Sequence, residues 1–494
     1  MTTETKAADK TEKAEKPAAP VQPELKDELV ETEHSVTVNG REIAYTATAG
    51  RIVMKDEEGK AKASVFFIAY TRKDAGDPAT RPLTISFNGG PGSSSVWLHL
   101  GLLGPRRVVS GDVAEPVPPP YRLVNNEFSL LDLTDLVFVD PVSTGFSRPA
   151  PGEEAKQFHS VEKDIESVGE FIRLYVTRYK RWASPKFLIG ESYGTTRAAG
   201  LAGYLQQRHG MYLNGLMLIS AILNFQTTEF ELGNELPYVL YVPVYAATAW
   251  YHRKLDAARL KDLDATLAEA AAFASGEYAH ALFKGDALTQ AERNAIAARL
   301  SQLTGLTPEY IERANLRIEI MRSCKELLRN EKRTVGRLDS RFTGVDRDAV
   351  GEEFSYDPSY AAIQGPYAGA FNAYVCENLN FTSDLPYELL AGLYETWDYG
   401  KHQNKYVDVA ETLRAAMTQN PFLRVFIANG YFDFATPYFA TEYTVNHLHL
   451  DPALRDNIEL GYYQAGHMMY VHQPSLAALR ADLAAFLQQA IQAS

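Results

Sequence analysis

The sequence predicts an α/β fold: a mixed, mostly parallel sheet with helices on both faces, carrying a large helical insertion. Three observations support this. Short, nearly continuous apolar runs alternate with helical patterns, as strands covered on both faces require. A segment of strict apolar alternation precedes them. A long, mostly helical stretch then separates Ile219 from Val425, splitting the sheet-forming sequence in two.

Taken in order, residues 1–28 are Lys, Glu, Ala, Thr and Pro with almost no large apolar side chain, which predicts a disordered tail. From His34 the chain alternates, with Val36 and Val38, then Ile43 and Tyr45, then Val65, Phe67 and Ala69. Asn39-Gly40 sits between the first two runs, where a two-residue hairpin turn belongs, and Glu58-Gly59 marks a second turn. Parallel strands are expected at Leu83–Phe87, Leu136–Val139, Phe187–Ile189, Leu216–Ile219 and Val425–Ala428. Val161, Ile165, Val168, Ile172, Tyr175 and Tyr179 recur at helical spacing behind Ser160, a fitting N-cap. Residues 225–400 are read as a mainly helical cap insertion, with a core formed by 29–224 and 401–494. Inside the insertion, Thr307-Pro308 heads a long helical stretch as N-cap and first-turn proline. A last amphipathic helix from about Ser475 to Ile491 closes the core.

Composition narrows the partners. With 49 Lys+Arg against 62 Asp+Glu the net charge is −13, the wrong sign for binding phosphates, so no nucleic-acid partner is expected. No window approaches the roughly 18 uninterrupted apolar residues of a membrane-spanning helix, so no membrane partner is expected either. Only Cys324 and Cys376 occur, which excludes a disulfide-dense scaffold; two unpaired buried thiols are expected, with one bridge between them as the alternative. The first residues show no apolar core behind their charges. A cytoplasmic protein is therefore expected, or a periplasmic or secreted one if a signal peptide has been removed.

The chemistry concentrates in Gly190-Glu191-Ser192-Tyr193-Gly194, a G-x-S-x-G element with an apolar strand before it and a helical pattern after it. Small residues are needed there because the nucleophile sits on a strained strand-to-helix turn, the elbow of the α/β-hydrolase fold. A serine hydroxyl needs a base to take its proton, and the base needs an acid to orient it. In that fold the chain order is Ser, Asp or Glu, His. Asp433 follows the strand Val425–Ala428 in Asn429-Gly430-Tyr431-Phe432-Asp433, and His467 lies in Ala465-Gly466-His467-Met468. Of the eleven histidines, His467 alone combines this order with a strand before it and a glycine-flanked turn; His447 and His449 lack a third metal ligand. Asn88-Gly89-Gly90-Pro91-Gly92, directly after a strand, is where such a fold draws one oxyanion donor, the other being the Tyr193 N–H. No metal and no cofactor is implied.

At these residues the sequence closely resembles the serine carboxypeptidases of peptidase family S10, as a bacterial-type member. Five blocks between about 80 and 475 carry the resemblance: Asn88 to Ser95, Asp140 to Ser147, Gly190 to Gly194, Gly430 to Asp433, and Gly466-His467-Met468. The resemblance implies Ser192, Asp433 and His467 as the catalytic triad, with Gly90 and Tyr193 as oxyanion donors. It implies release of C-terminal amino acids from peptides, the terminal carboxylate being bound by Asn88, Gly89 and Glu191. Peptides are the expected partners, with a homodimer as the assembly it allows. In the family a second Glu before Leu-Gly-Pro shares a proton with the first, and two close carboxyls cannot both ionise cheaply. Here Leu103-Gly104-Pro105 is kept but Leu102 stands where that Glu would be, and Ser86 replaces the family's Trp two residues before Asn88. These departures bear on carboxylate recognition and on an acidic optimum. An esterase, amidase or acyltransferase of the same fold is the alternative, and a non-catalytic binding protein a third reading. Gly336-Arg337-Leu338-Asp339 has two readings, a cap loop ending near the site or a structural turn.

Overall fold

The computed structural model describes residues 25–492 apart from positions 110, 112 and 114. Most of the expected tail, 1–24, lies outside the described residues, and Glu28 already begins a strand. Three antiparallel strands lead in: β1 (Glu28–Val38), β2 (Arg41–Lys55) and β3 (Ala61–Arg72). Asn39 and Gly40 both take positive φ, 50° and 74°, as the two-residue turn between β1 and β2 requires. The next strands are β4 (Leu83–Phe87), β5 (Asp135–Val139), β6 (Lys186–Ser192), β7 (Gly215–Ala221), β8 (Arg424–Gly430) and β9 (Ile458–Tyr463). The sheet runs β1-β2-β3-β5-β4-β6-β7-β8-β9, parallel from β5 onward. This is the α/β-hydrolase architecture.

Strand residues alternate between two cores, which is why their runs look continuously apolar. On one face Met217, Ile219, Phe426 and Ala428 pack beneath the C-terminal helix Gln473–Gln492. On the other, Leu216, Leu218, Val425 and Ile427 meet helices α1 (Val161–Arg178) and α2 (Tyr193–His209). Ser160 caps α1, its side chain accepting from Lys163 N.

The span 225–400 packs in two ways. Helices between Leu236 and Glu326 share an apolar cluster of their own, joined from the core by Phe434. By contrast, the helix α3 (Pro358–Glu377) buries Ile363, Tyr367, Phe371 and Tyr374 in the main core. The stretch after Thr307-Pro308 is also more broken than its pattern suggests. It forms two short helices, Pro308–Arg313 and Ile320–Glu326, because Asn315 and Leu316 take positive φ between them. Both cysteines are free, but only Cys324 is buried; Cys376 is exposed on α3, a correction to two buried thiols.

Candidate active site

The site forms where β4, β6, β8 and β9 end, because loops at the C-terminal edge of a parallel sheet converge there. Ser192 closes β6 with φ 60° and ψ −131°, a conformation that a non-glycine residue holds only under strain. The turn is so tight that a Cβ on Gly190 would lie 2.1 Å from Gly194 O. The strain lifts the Ser192 side chain into a cavity of about 880 Å³, which His467 also lines.

Asp433 and His467, 34 positions apart in the chain, meet: His467 Nδ1 lies 2.8 Å from Asp433 Oδ2. Asp433 is fully buried and fully used. Its Oδ1 accepts from Ala435 N and Thr436 N, and its Oδ2 also accepts from the Thr436 hydroxyl at 2.7 Å. With Nδ1–H committed to Asp433, Nε2 of His467 is the nitrogen that can take a proton. The backbone of His467 is fixed at both ends, its N donating to Leu338 O and its O accepting from Ser220 Oγ, each at 2.7 Å. Burial by itself pushes the His467 imidazole down, but the charge and hydrogen bond of Asp433, helped by Glu191, outweigh it and hold the group above its ordinary 6.5.

Gly90 is exposed to the cavity with φ 106°, and Tyr193 opens α2 beside it. The Gly89–Gly90 loop lies against the start of α2 so closely that a Cβ on Gly89 would be 2.4 Å from Tyr193 N. The two expected oxyanion donors thus line the same cavity, the neighbouring Gly89 packed against Tyr193 N.

Asn88, Gly89 and Glu191 come together as expected. Asn88 Nδ2 donates to Glu191 Oε1 at 2.9 Å, and Asn88 Oδ1 accepts from Leu98 N at 3.1 Å. No second carboxyl joins them: Leu102 is wholly buried in the main apolar core. Glu191 Oε2 instead accepts from the Tyr470 hydroxyl at 2.6 Å. Burial drives the Glu191 carboxyl up to about 7, opposed by the His467 charge and by the Tyr470 and Asn88 hydrogen bonds.

Three supports surround these residues, and sequence reasoning missed the first two. Tyr470 is one. Arg197 is another: buried in α2, it pairs with Asp164 at 2.8 Å and donates to Asn88 O at 2.5 Å, tying the β4 loop to two helices. The third is the segment 337–341, whose two sequence readings both hold. It reaches the site and also clamps it: Phe434 N donates to Arg337 O at 3.1 Å, Ser340 N to Phe432 O at 2.9 Å, and Gly466 N to Asp339 Oδ2 at 3.2 Å. Asp339 is paired with buried Arg341, which also donates to Gln464 O at 2.7 Å.

A family model described as serine carboxypeptidase matches residues 45–477, spanning both halves of the sheet and every site residue above. The chain belongs to the serine carboxypeptidase family. Among its relatives is the pheromone-processing carboxypeptidase KEX1 of Saccharomyces cerevisiae, 33% identical over 156 residues, 29% of this chain and 20% of that protein. A serine carboxypeptidase S10 family member from Dictyostelium discoideum is 24% identical over 205 residues, 41% of this chain and 44% of that one. The matches to both therefore span less than half of the relative's own length. The solved structure of KEX1(delta)p, a prohormone-processing carboxypeptidase from Saccharomyces cerevisiae, aligns with a TM-score of 0.58 at 17% identity. It covers 90% of this chain and 92% of that one, which shows the shared fold.

Proposed function

We propose that this protein is a serine-type carboxypeptidase that releases C-terminal amino acids from peptides through an acyl-enzyme intermediate. The observation that carries the reading is one cavity lined by Ser192, His467 and the buried Asn88–Glu191 pair, with Asp433 buried behind the histidine and bonded to it. In this reading Ser192 Oγ attacks the last peptide carbonyl while His467 Nε2 takes its proton. The N–H groups of Gly90 and Tyr193 receive the developing oxyanion. His467 then passes the proton to the departing amine, and water, activated by the same base, releases the shortened peptide. Asn88, Gly89 and Glu191 meet the substrate terminus.

A fluorophosphonate probe tests the nucleophile: it labels the wild type and leaves Ser192→Ala unlabelled, with kcat in the variant down by at least about 10⁴-fold. Comparing a blocked dipeptide acid with its amide tests the exopeptidase reading, and faster cleavage of the acid is the expected result. An esterase, amidase or acyltransferase is the second reading, favoured by Leu102 in place of a carboxyl; equal rates on acid and amide would establish it. A cytoplasmic location belongs to the same proposal, supported by the two free thiols, Cys324 and Cys376. A homodimer is the assembly proposed with it, and light scattering checks it.

A further inference from the structure

This inference deepens the carboxypeptidase reading and rests on it. A peptide's C-terminus enters the cavity as an anion, so the wall has to offer a donor or a counter-charge. The Asn88–Glu191 pair has little left to give. Both Glu191 oxygens already accept, one from Asn88 and one from Tyr470, and Leu102 supplies no second carboxyl.

The acids that line the cavity are also mostly engaged. Glu319 caps the helix Ile320–Glu326, accepting from Met321 N and Arg322 N. Asp357 accepts from the backbone N–H groups of Arg337, Leu338 and Ser359. Glu229 is exposed to the cavity. Opposite these stands one permanent cation, Arg337, half-buried in the cavity wall. Its backbone is pinned, N to Asp357 and O to Phe434. Yet its guanidinium makes no hydrogen bond and no ion pair with any described residue. Arg337 lines the same cavity as His467 and Glu229, and its positive charge acts to lower the pKa of both.

We propose that the Arg337 guanidinium binds a substrate carboxylate in this cavity, taking over the part that a paired carboxyl would play beside Glu191. Arginine suits the task because its planar fork matches a carboxylate with two parallel N–H donors and stays charged at every working pH. The carboxylate comes from the peptide terminus or from an acidic side chain next to the scissile bond.

Arg337→Met and Arg337→Lys distinguish the two. The substrates are a blocked dipeptide acid, its amide, and blocked dipeptide esters carrying Glu or Gln at the acyl position. If the terminus is bound, then at a pH well above the His467 transition Arg337→Met raises KM for the acid at least about tenfold with kcat nearly unchanged, leaves the amide nearly unaffected, and Arg337→Lys recovers part of the loss. If a side chain is bound, the loss appears only on Glu-containing substrates. A uniform loss on all substrates, or none, overturns the proposal. Fluorophosphonate labelling at the wild-type rate reports that each variant is folded. A wild type that labels but cleaves only esters overturns the carboxypeptidase reading instead, and the Glu and Gln esters then still decide the role of Arg337.

Discussion

At the residue scale, the pair that Glu191 forms with Tyr470 sets a pH dependence that can be worked through by sign. The Glu191 carboxyl, raised to about 7 by burial, is neutral below that pH and anionic above it. An anionic Glu191 repels a substrate carboxylate, so the ratio of kcat/KM for acid over amide falls as pH rises through about 7. The Tyr470 hydrogen bond lowers this pKa, so in Tyr470→Phe the fall moves to higher pH. On the other limb, His467 acts only when neutral. Its pKa is held above 6.5, so kcat/KM for the amide falls as pH drops through that elevated value. Paired pH profiles on acid and amide read both limbs. A second residue prediction concerns Gly89. In Gly89→Ala the new Cβ meets Tyr193 N, displacing an oxyanion donor, and kcat falls by about 10²–10³-fold with slower fluorophosphonate labelling.

At the scale of elements, the segment 337–341 ties the acid loop after β8 to the base loop after β9. Asp339→Ala leaves Arg341 buried with no carboxylate beside it, which costs about 3–5 kcal/mol. The expected outcome is a lower Tm together with a lower kcat, because His467 N donates to Leu338 O in the same clamp. Replacing the pair together, Asp339→Leu with Arg341→Met, restores much of the Tm but not the kcat. Local signals make several elements legible: β4 through β8 follow from apolar runs, and α1 from its spacing behind Ser160. The insertion is harder, because helical patterning does not say what a helix packs against. Nothing local marks α3 as part of the main core, or breaks the stretch after Thr307 at Asn315 and Leu316.

At the scale of the molecule, cap and core share contacts that couple them. Phe434, next to the acid, packs into the cap cluster, and the clamp returns from cap to core beside His467. Heating is therefore expected to give one cooperative unfolding transition by calorimetry, in which cap and site melt together. Two separated transitions would show that the cap stands on its own.

The triad candidates were readable because each stands in its own local pattern: Ser192 on a strand, glycine turn and helix, Asp433 and His467 on turns after strands, in the chain order of the fold. Sequence by itself thus determined the fold class, the order of catalytic groups and the absence of a second carboxyl at Leu102. Tertiary structure alone decided what surrounds them. Tyr470 reaches Glu191 across 279 residues, Arg341 reaches Gln464 across 123, and Arg337 faces the cavity with its guanidinium unpaired. Such pairs leave no periodic or turn signature, because their partners are set by how distant loops dock and not by any local backbone preference.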